Sequence, residues 1–281
     1  MESGATHFLN GKLVEEKDLV VSVRDLGLLR GYAVFDFLIT YPPQRPFMLD
    51  RHIDRLFRSA AVIGLALPWE KAQVRQWVLD TLAANADGKE KAIKIVVTGG
   101  ASSTILPETK PTIAILVDTR TPFPGEWYEK GVAATTAKFR RYAPEAKTND
   151  YIEGVMRTRE AAAQGAFEPI YYDDTQVYEA VTSNVFAVID GALVTPKAGI
   201  LEGITRAVLL EILPPAGIPV EARDFTIGDL RRASEIFLAA SNKDVLPITT
   251  LDDAPVGNGA VGPITKHAMA QFAAFTRSEN W

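Results

Sequence analysis

The 281-residue chain contains no cysteine. That absence excludes disulfide staples, thiolate zinc sites and cysteine nucleophiles, and it leaves the redox compartment open. Histidine is scarce: His7, His52 and His267 are scattered, with no HExxH or comparable ligand spacing. No metal site is expected, and all three are expected in surface or interface roles. Cations are not in excess. The chain has 30 Lys and Arg against 35 Asp and Glu, a formal charge of −5, and phosphate-backbone binding needs clustered basic residues, so no nucleic-acid partner is expected. Long apolar runs are missing too. The longest nearly apolar stretch, Ala60 to Trp69, is far too short to span a bilayer, and Met1-Glu2-Ser3-Gly4 opens without a basic region or apolar core. The expectation is a cytoplasmic protein with no membrane partner.

Several catalytic signatures are also lacking. There is no GxSxG elbow and no GxxxxGK[ST] loop, so serine-hydrolase and P-loop readings have no support. One GxGxxG string occurs, Gly257 to Gly262. It follows Asp252-Asp253-Ala254-Pro255 rather than a buried strand, and too little chain remains for a βαβ unit, so a glycine-rich surface turn is the expectation.

What is present is an ordinary globular composition, 47% hydrophobic and 23% charged, long enough for one large domain or two modest ones. Asn10-Gly11 between Phe8-Leu9 and Lys12-Leu13-Val14 predicts a hairpin with a type I′ turn. Gly31 to Thr40 reads as a strand. A helix opens at Leu49 with Asp50 as N-cap, a second covers Trp69 to Ala84, and strands follow at Ala92 to Thr98 and Thr112 to Val117. Residues 119–131, with two prolines and no periodicity, are expected to link a domain over 1–118 to one over 132–281. Beyond them the pattern gives a helix near Tyr151 to Gly165 and strands at Pro169 to Tyr172, Val185 to Ile189 and Ala192 to Thr195. A short helix should start near Thr205 and stop at Pro214-Pro215.

Four ordered segments carry a resemblance. They are Gly31-Tyr32-Ala33-Val34-Phe35-Asp36 with His52-Ile53-Asp54-Arg55-Leu56; Lys147-Thr148-Asn149-Asp150-Tyr151; Tyr178 to Phe186; and Ile200-Leu201-Glu202-Gly203-Ile204-Thr205-Arg206. Each alone is weak, but the ordered set resembles the fold type IV (branched-chain and D-amino-acid) aminotransferases. The resemblance implies an α+β fold: a smaller N-terminal α/β sandwich and a larger C-terminal pseudo-barrel with helices, with pyridoxal 5′-phosphate at the domain interface. It further implies a homodimer acting on amino acids and 2-keto acids.

By that resemblance Lys147 carries the cofactor as a Schiff base. The chemistry needs an amine that can be neutral near pH 7, although free lysine titrates near ~10.4, so burial or nearby cations must lower it; Arg140 and Arg141 lie close in sequence. The plain alternative is an exposed loop lysine. Glu179 matches the acidic partner of the pyridine nitrogen, which keeps the ring able to accept electrons; otherwise it is a strand-end glutamate facing water. Gly203, Ile204 and Thr205 offer backbone N–H groups and a hydroxyl at a helix start to the cofactor phosphate, a role compatible with capping. Arg55 supplies the phosphate's cation, unless it is a surface salt bridge. Ser241 and Asn242 occupy a further phosphate-contact segment, and Tyr151 is a further cofactor contact.

The substrate is less fixed, because cofactor residues are shared by transaminases of branched-chain L-amino acids, D-amino acids and (R)-amines, and by aminodeoxychorismate lyase. The branched-chain subgroup usually has Phe-Glu-Gly-Ile-Arg where this chain has Phe35-Asp36-Phe37-Leu38-Ile39. The Arg-x-His set of bacterial D-alanine transaminases is replaced by Thr98-Gly99-Gly100-Ala101-Ser102. A carboxylate still needs cations, and Arg30 and Lys94, with Phe35, are the candidates. The expected activity is D-amino-acid transamination with a different carboxylate clamp; the other readings, and a non-catalytic cofactor-binding protein, stay open. Arg30 could instead form a dimer-interface ion pair, and Lys94 could be a snorkelling strand lysine.

Overall fold

The computed structural model describes residues 4–278 and Trp281, so Met1, Glu2 and Ser3 of the N-terminal reading lie outside the described residues. The chain forms two compact units. The first holds the described residues up to Thr121 together with Glu145–Asp150; the second holds Pro122–Pro144 and the described residues from Tyr151 onward.

The first unit contains β1 (Thr6–Leu9), β2 (Lys12–Glu15), α1 (Leu26–Arg30), β3 (Ala33–Tyr41), β4 (Arg45–Pro46), α2 (Leu49–Val62), α3 (Lys71–Ala83), β5 (Lys91–Thr98) and β6 (Thr112–Thr119). Its sheet is antiparallel in the order β2-β1-β6-β5-β3-β4. Asn10 and Gly11 turn the first hairpin with φ of 47° and 94°, as a type I′ turn requires. Alternation then sorts the faces. Val34 and Leu38, with Ile93, Ile95, Val97, Ile113 and Ile115, pack into one core with Ile53, Leu56 and Ala60 of α2 and Val74 and Val78 of α3. Burying each Val, Leu or Ile among them is worth roughly 1.5–3 kcal/mol, which holds the helices down more firmly than propensity does. The other face carries Phe35, Phe37, Lys94 and Val96; Phe35 pairs Val96, and Phe37 pairs the exposed Lys94.

Two expectations need correcting here. Asp50 does not cap α2: Met48 holds the N-cap position with a left-handed backbone and no side-chain bond, while Asp50 sits in the first turn and accepts from Arg75 Nε at 2.8 Å. The lysine segment, expected in the C-terminal domain, groups with the first unit. The reason is backbone pairing along the free edge of β3. Phe35 N–H donates to the Lys147 carbonyl at 2.9 Å, Asn149 N–H donates to the Ala33 carbonyl at 3.2 Å, and Val34 bridges Thr148.

The second unit contains α4 (Gly125–Lys130), β7 (Val132–Lys138), α5 (Ile152–Ala163), β8 (Glu168–Tyr172), β9 (Val177–Ala180), β10 (Asn184–Ile189), β11 (Ala192–Thr195), α6 (Ile204–Ile212), β12 (Val220–Ala222), α7 (Ile227–Arg231), β13 (Glu235–Ala240), β14 (Asp244–Leu251), β15 (Ala254–Pro255) and α8 (Pro263–Arg277). Part of the segment expected as an irregular linker is therefore helix α4. Strands β10, β13, β14, β7, β8 and β9 pair in sequence, and a final pairing of Glu179 with Asn184 returns β9 to β10, closing a six-stranded barrel. Strands β11 and β12 continue from β10, and β15 pairs β14. The α+β architecture is thus a helix-backed sheet and a barrel with helices. No helix among the described residues is long and apolar enough to cross a membrane.

Candidate active site

In the first unit, main-chain pairing with β3 fixes Lys147, and its own N–H donates to Ser59 Oγ of α2 at 3.1 Å. Its half-buried ammonium lies 4.5 Å from the centroid of the Phe35 ring. Lys94 Nζ lies 5.9 Å from the same ring. Three residues expected from sequence therefore share one sheet face: Lys147, Phe35 and Lys94. Arg30, the last residue of α1, is exposed and donates to its neighbour's carbonyl, that of Leu29, at 2.9 Å.

Arg55 is buried rather than a surface salt bridge, at 4% exposure. Its Nε donates to Asp36 Oδ2 and its Nη2 to Asp36 Oδ1, both at 2.9 Å. Burial alone would raise the Asp36 carboxyl, but the charges and hydrogen bonds of Arg55 and His52 outweigh it and hold the group well below the usual carboxylate range. His52 is pushed down, chiefly by burial, against the pull of Asp36. A neutral imidazole donating Nδ1–H to Asp36 Oδ1 at 2.6 Å satisfies both observations. His52 Nε2 is buried with no hydrogen-bond partner among the described residues.

The expectation that the histidines lie at a surface or interface fails for His52 and for His7, buried at 0% and 1% exposure; His267 is exposed. His52 lies on the inward stripe of α2, one turn before Arg55. The signal was in the sequence: alternation places Asp36 on the buried face with Val34 and Leu38, and a buried acid requires cationic partners.

In the second unit, Glu179 is buried at 5% exposure rather than facing water. Its Oε2 accepts from Leu201 N–H at 3.0 Å, and Asn184 Nδ2 donates to the Leu201 carbonyl at 2.8 Å. Its Oε1 lies 3.1 Å from Arg141 Nε. That N–H points off the line to the oxygen and makes no hydrogen bond, so the contact is an ion pair. The Arg141 guanidinium lies 4.8 Å from the Tyr151 ring centroid and 5.7 Å from that of Tyr171, and Nη2 donates to the Val181 carbonyl. Burial pushes the Tyr151 phenol up, and that of Tyr171 up to about 12. Arg141, noted in the sequence only for its nearness to Lys147, is thus the ionic partner of Glu179.

Gly203 is the N-cap of α6, and Ile204 and Thr205 form its first turn. A Cβ on Gly203 would stand 1.9 Å from Asn184 Oδ1, so a larger residue here displaces that amide. Thr205 is 2% exposed, and its Oγ1 has no hydrogen-bond partner among the described residues. A buried hydroxyl left over at the positive end of a nine-residue helix is the arrangement an anion such as a phosphate monoester would complete. Ser241 and Asn242 lie half-buried in the turn between β13 and β14, and Tyr151 precedes α5.

The next residue, Lys243, was not singled out by the sequence reading. It is fully buried, 3.1 Å from Glu168 Oε1, and donates to Ser183 Oγ at 2.8 Å and to Thr182 Oγ1. Burial would raise the Glu168 carboxyl, but Lys243 and the surrounding donors hold it below the usual range. This cluster pins the turns that follow β9 and β13 to the start of β8.

Comparisons with known proteins agree on the family. A family model described as Amino-transferase class IV matches residues 33–251. A protein of Methanocaldococcus jannaschii, provisionally named a branched-chain-amino-acid aminotransferase, is 35% identical, covering 94% of each chain. A D-alanine aminotransferase of Listeria monocytogenes is 33% identical, covering 94% of this chain and 93% of its own. The solved branched-chain aminotransferase of Thermoproteus uzoniensis with norvaline superposes with a TM-score of 0.88 at 28% identity, covering 97% and 94% of the two chains. The match over most of the chain and the identity to full-length relatives lead to one conclusion: the chain belongs to the class IV aminotransferases, enzymes that use pyridoxal 5′-phosphate.

Proposed function

We propose that this aminotransferase moves an amino group between a D-amino acid and a 2-keto acid, such as D-alanine and 2-oxoglutarate. The observation that carries the reading is the face of β3 and β5 on which Lys147 and the exposed Lys94 both approach the Phe35 ring. A second ammonium beside the attachment lysine gives a carboxylate a partner that neither familiar subgroup pattern supplies in this sequence. The name of the Listeria relative favours the D-series. The names of the archaeal relative and the Thermoproteus structure favour the second reading, a branched-chain L-amino-acid aminotransferase.

In this reading Lys147 Nζ would hold the cofactor, and its free amine would take the proton from the substrate's Cα and return it during transfer. Glu179 would face the ring nitrogen, a role its buried carboxylate beside Arg141 suits. Arg55 supplies positive charge to the phosphate, and Gly203, Ile204 and Thr205 supply backbone N–H groups and a hydroxyl. Ser241, Asn242 and Tyr151 complete the contacts. Pyridoxal 5′-phosphate, when bound, supplies the electron sink that takes up charge from the substrate's Cα. Val20, Val21, Val23, Leu28 and Leu29, exposed around α1, suit burial against a second copy in a homodimer.

The test is an absorbance titration of the holoenzyme with paired D- and L-amino acids. Loss of the lysine-bound cofactor band with D-alanine and not with L-leucine is expected, and the reverse pattern overturns the D-amino-acid reading. Lys147→Ala should abolish turnover with either enantiomer.

A further inference from the structure

Arg141 is a half-buried cation that the transfer chemistry itself does not require. It stands in the connection between β7 and α5, 16% exposed, stacked on Tyr151 and near Tyr171, with one arm on the Val181 carbonyl and Nε 3.1 Å from Glu179 Oε1. Tyr151, Tyr171 and the Val181 carbonyl, from three segments, thus fix one guanidinium beside one carboxylate. Glu179 has its other oxygen on the Leu201 N–H, so both oxygens have partners from this chain. A rigid fork of this kind holds its direction better than a lysine would.

We propose that Arg141 is a positioning residue for Glu179: it aims the carboxylate and sets how strongly that carboxylate favours a proton on the ring nitrogen of bound pyridoxal 5′-phosphate. The inference rests on the assignment of Glu179 to the ring nitrogen. The physical argument is charge balance. A buried carboxylate alone presents a full negative charge to the ring; one with a guanidinium at 3.1 Å presents a nearly neutral pair. The ring nitrogen is then protonated less readily than an unpaired glutamate would make it. The pair trades some electron-withdrawing power for a fixed geometry. The Tyr151 phenol before α5 and the Tyr171 phenol of β8 act on Arg141, and the carboxylates of Glu168 in β8 and Glu153 in α5 act in turn on those phenols. Both phenols are held neutral by burial, and the Arg141 guanidinium pairs Glu179 directly.

The experiment is a pH titration of the bound cofactor's absorbance in holoenzyme, comparing wild type with Arg141→Met, Arg141→Gln, Arg141→Lys and Glu179→Gln. Removing the cation in Arg141→Met should raise the midpoint by about one pH unit. Arg141→Gln retains a donor for the Val181 carbonyl, so it covers the case in which the methionine variant fails to fold, and it should shift the same way. Arg141→Lys keeps the charge and should stay near the wild-type midpoint. No shift in the neutral variants, or an equal shift in Arg141→Lys, overturns the inference. If Glu179→Gln leaves the titration unchanged, the assignment of Glu179 fails first. If Glu179→Gln alone moves it, that assignment stands and the role of Arg141 falls.

Discussion

Arg55 meets Asp36 through two hydrogen bonds, Nε to Oδ2 and Nη2 to Oδ1, each 2.9 Å long, with both side chains out of water. Such a pair is weak evidence of net stabilisation, since desolvating two charges offsets much of their attraction. Removing one partner is another matter. Asp36→Ala leaves the Arg55 guanidinium buried without its carboxylate and should lower stability by about 3–5 kcal/mol, read as a fall in the urea midpoint. A loss below about 1 kcal/mol would mean that water or another acid replaces Asp36.

The His52 imidazole gives a pH dependence with a definite sign. Its folded pKa lies below the unfolded value of about 6.5, so the folded chain refuses a proton that the unfolded chain accepts. This contribution is fully present above about pH 6.5 and is lost as the pH falls toward the folded pKa, by up to about 1.4 kcal/mol per pH unit. Asp36 acts in the same direction at lower pH: its depressed carboxyl stabilises above about pH 3.9 and less below it. His52→Gln should therefore lose less stability than wild type between pH 7.5 and 5.5. Equal losses in paired urea titrations would rule out a neutral, buried His52.

Gly203 tests the helix-start cradle. In Gly203→Ala the new Cβ meets Asn184 Oδ1, and the amide must turn away from the Leu201 carbonyl. Losing that bond costs about 1 kcal/mol, and affinity for pyridoxal 5′-phosphate should fall about fivefold, measured by fluorescence titration of cofactor-free protein. Adding Asn184→Ala removes the clash and should recover part of the affinity. No recovery would place the fault elsewhere in the turn.

Lys94 and Arg30 divide the substrate carboxylate question. Lys94 shares the Phe35 ring with Lys147, whereas Arg30 is exposed on α1. Lys94→Ala should lower kcat/KM for D-alanine by about 10–100-fold, the worth of a charge-assisted hydrogen bond, with cofactor absorbance retained. A larger loss from Arg30→Ala than from Lys94→Ala would move the clamp to Arg30, and unchanged kinetics in both would remove it from either residue.

The sequence was most legible where one face of an element is dry and the other wet. Alternation in β3 and β5, and the spacing of Ile53, Leu56 and Ala60 in α2, gave the first unit nearly strand by strand. The barrel was harder to read. Strand β10 was placed, but β7, β9, β13 and β14 were not: β13 is buried along all but its last residue, which erases alternation, and β9 is only four residues long. The lysine segment has no secondary-structure signal, since it pairs with β3 across more than 100 intervening residues. Motif resemblance pointed to Lys147, Glu179 and Thr205 but not to the partnership of Arg141 with Glu179, because charge pairing between distant segments leaves no local pattern.

The attachment of the lysine segment to β3 runs through the main chain: the Phe35 N–H, the Lys147 carbonyl, the Asn149 N–H and the Ala33 carbonyl. Contacts of that kind are indifferent to side-chain identity. Positions 148 and 149 are thus free to drift in composition without moving Lys147, provided neither the Asn149 nor the Phe35 position becomes proline and loses its N–H. Substitution can vary the neighbourhood of Lys147 while its amine stays where β3 puts it.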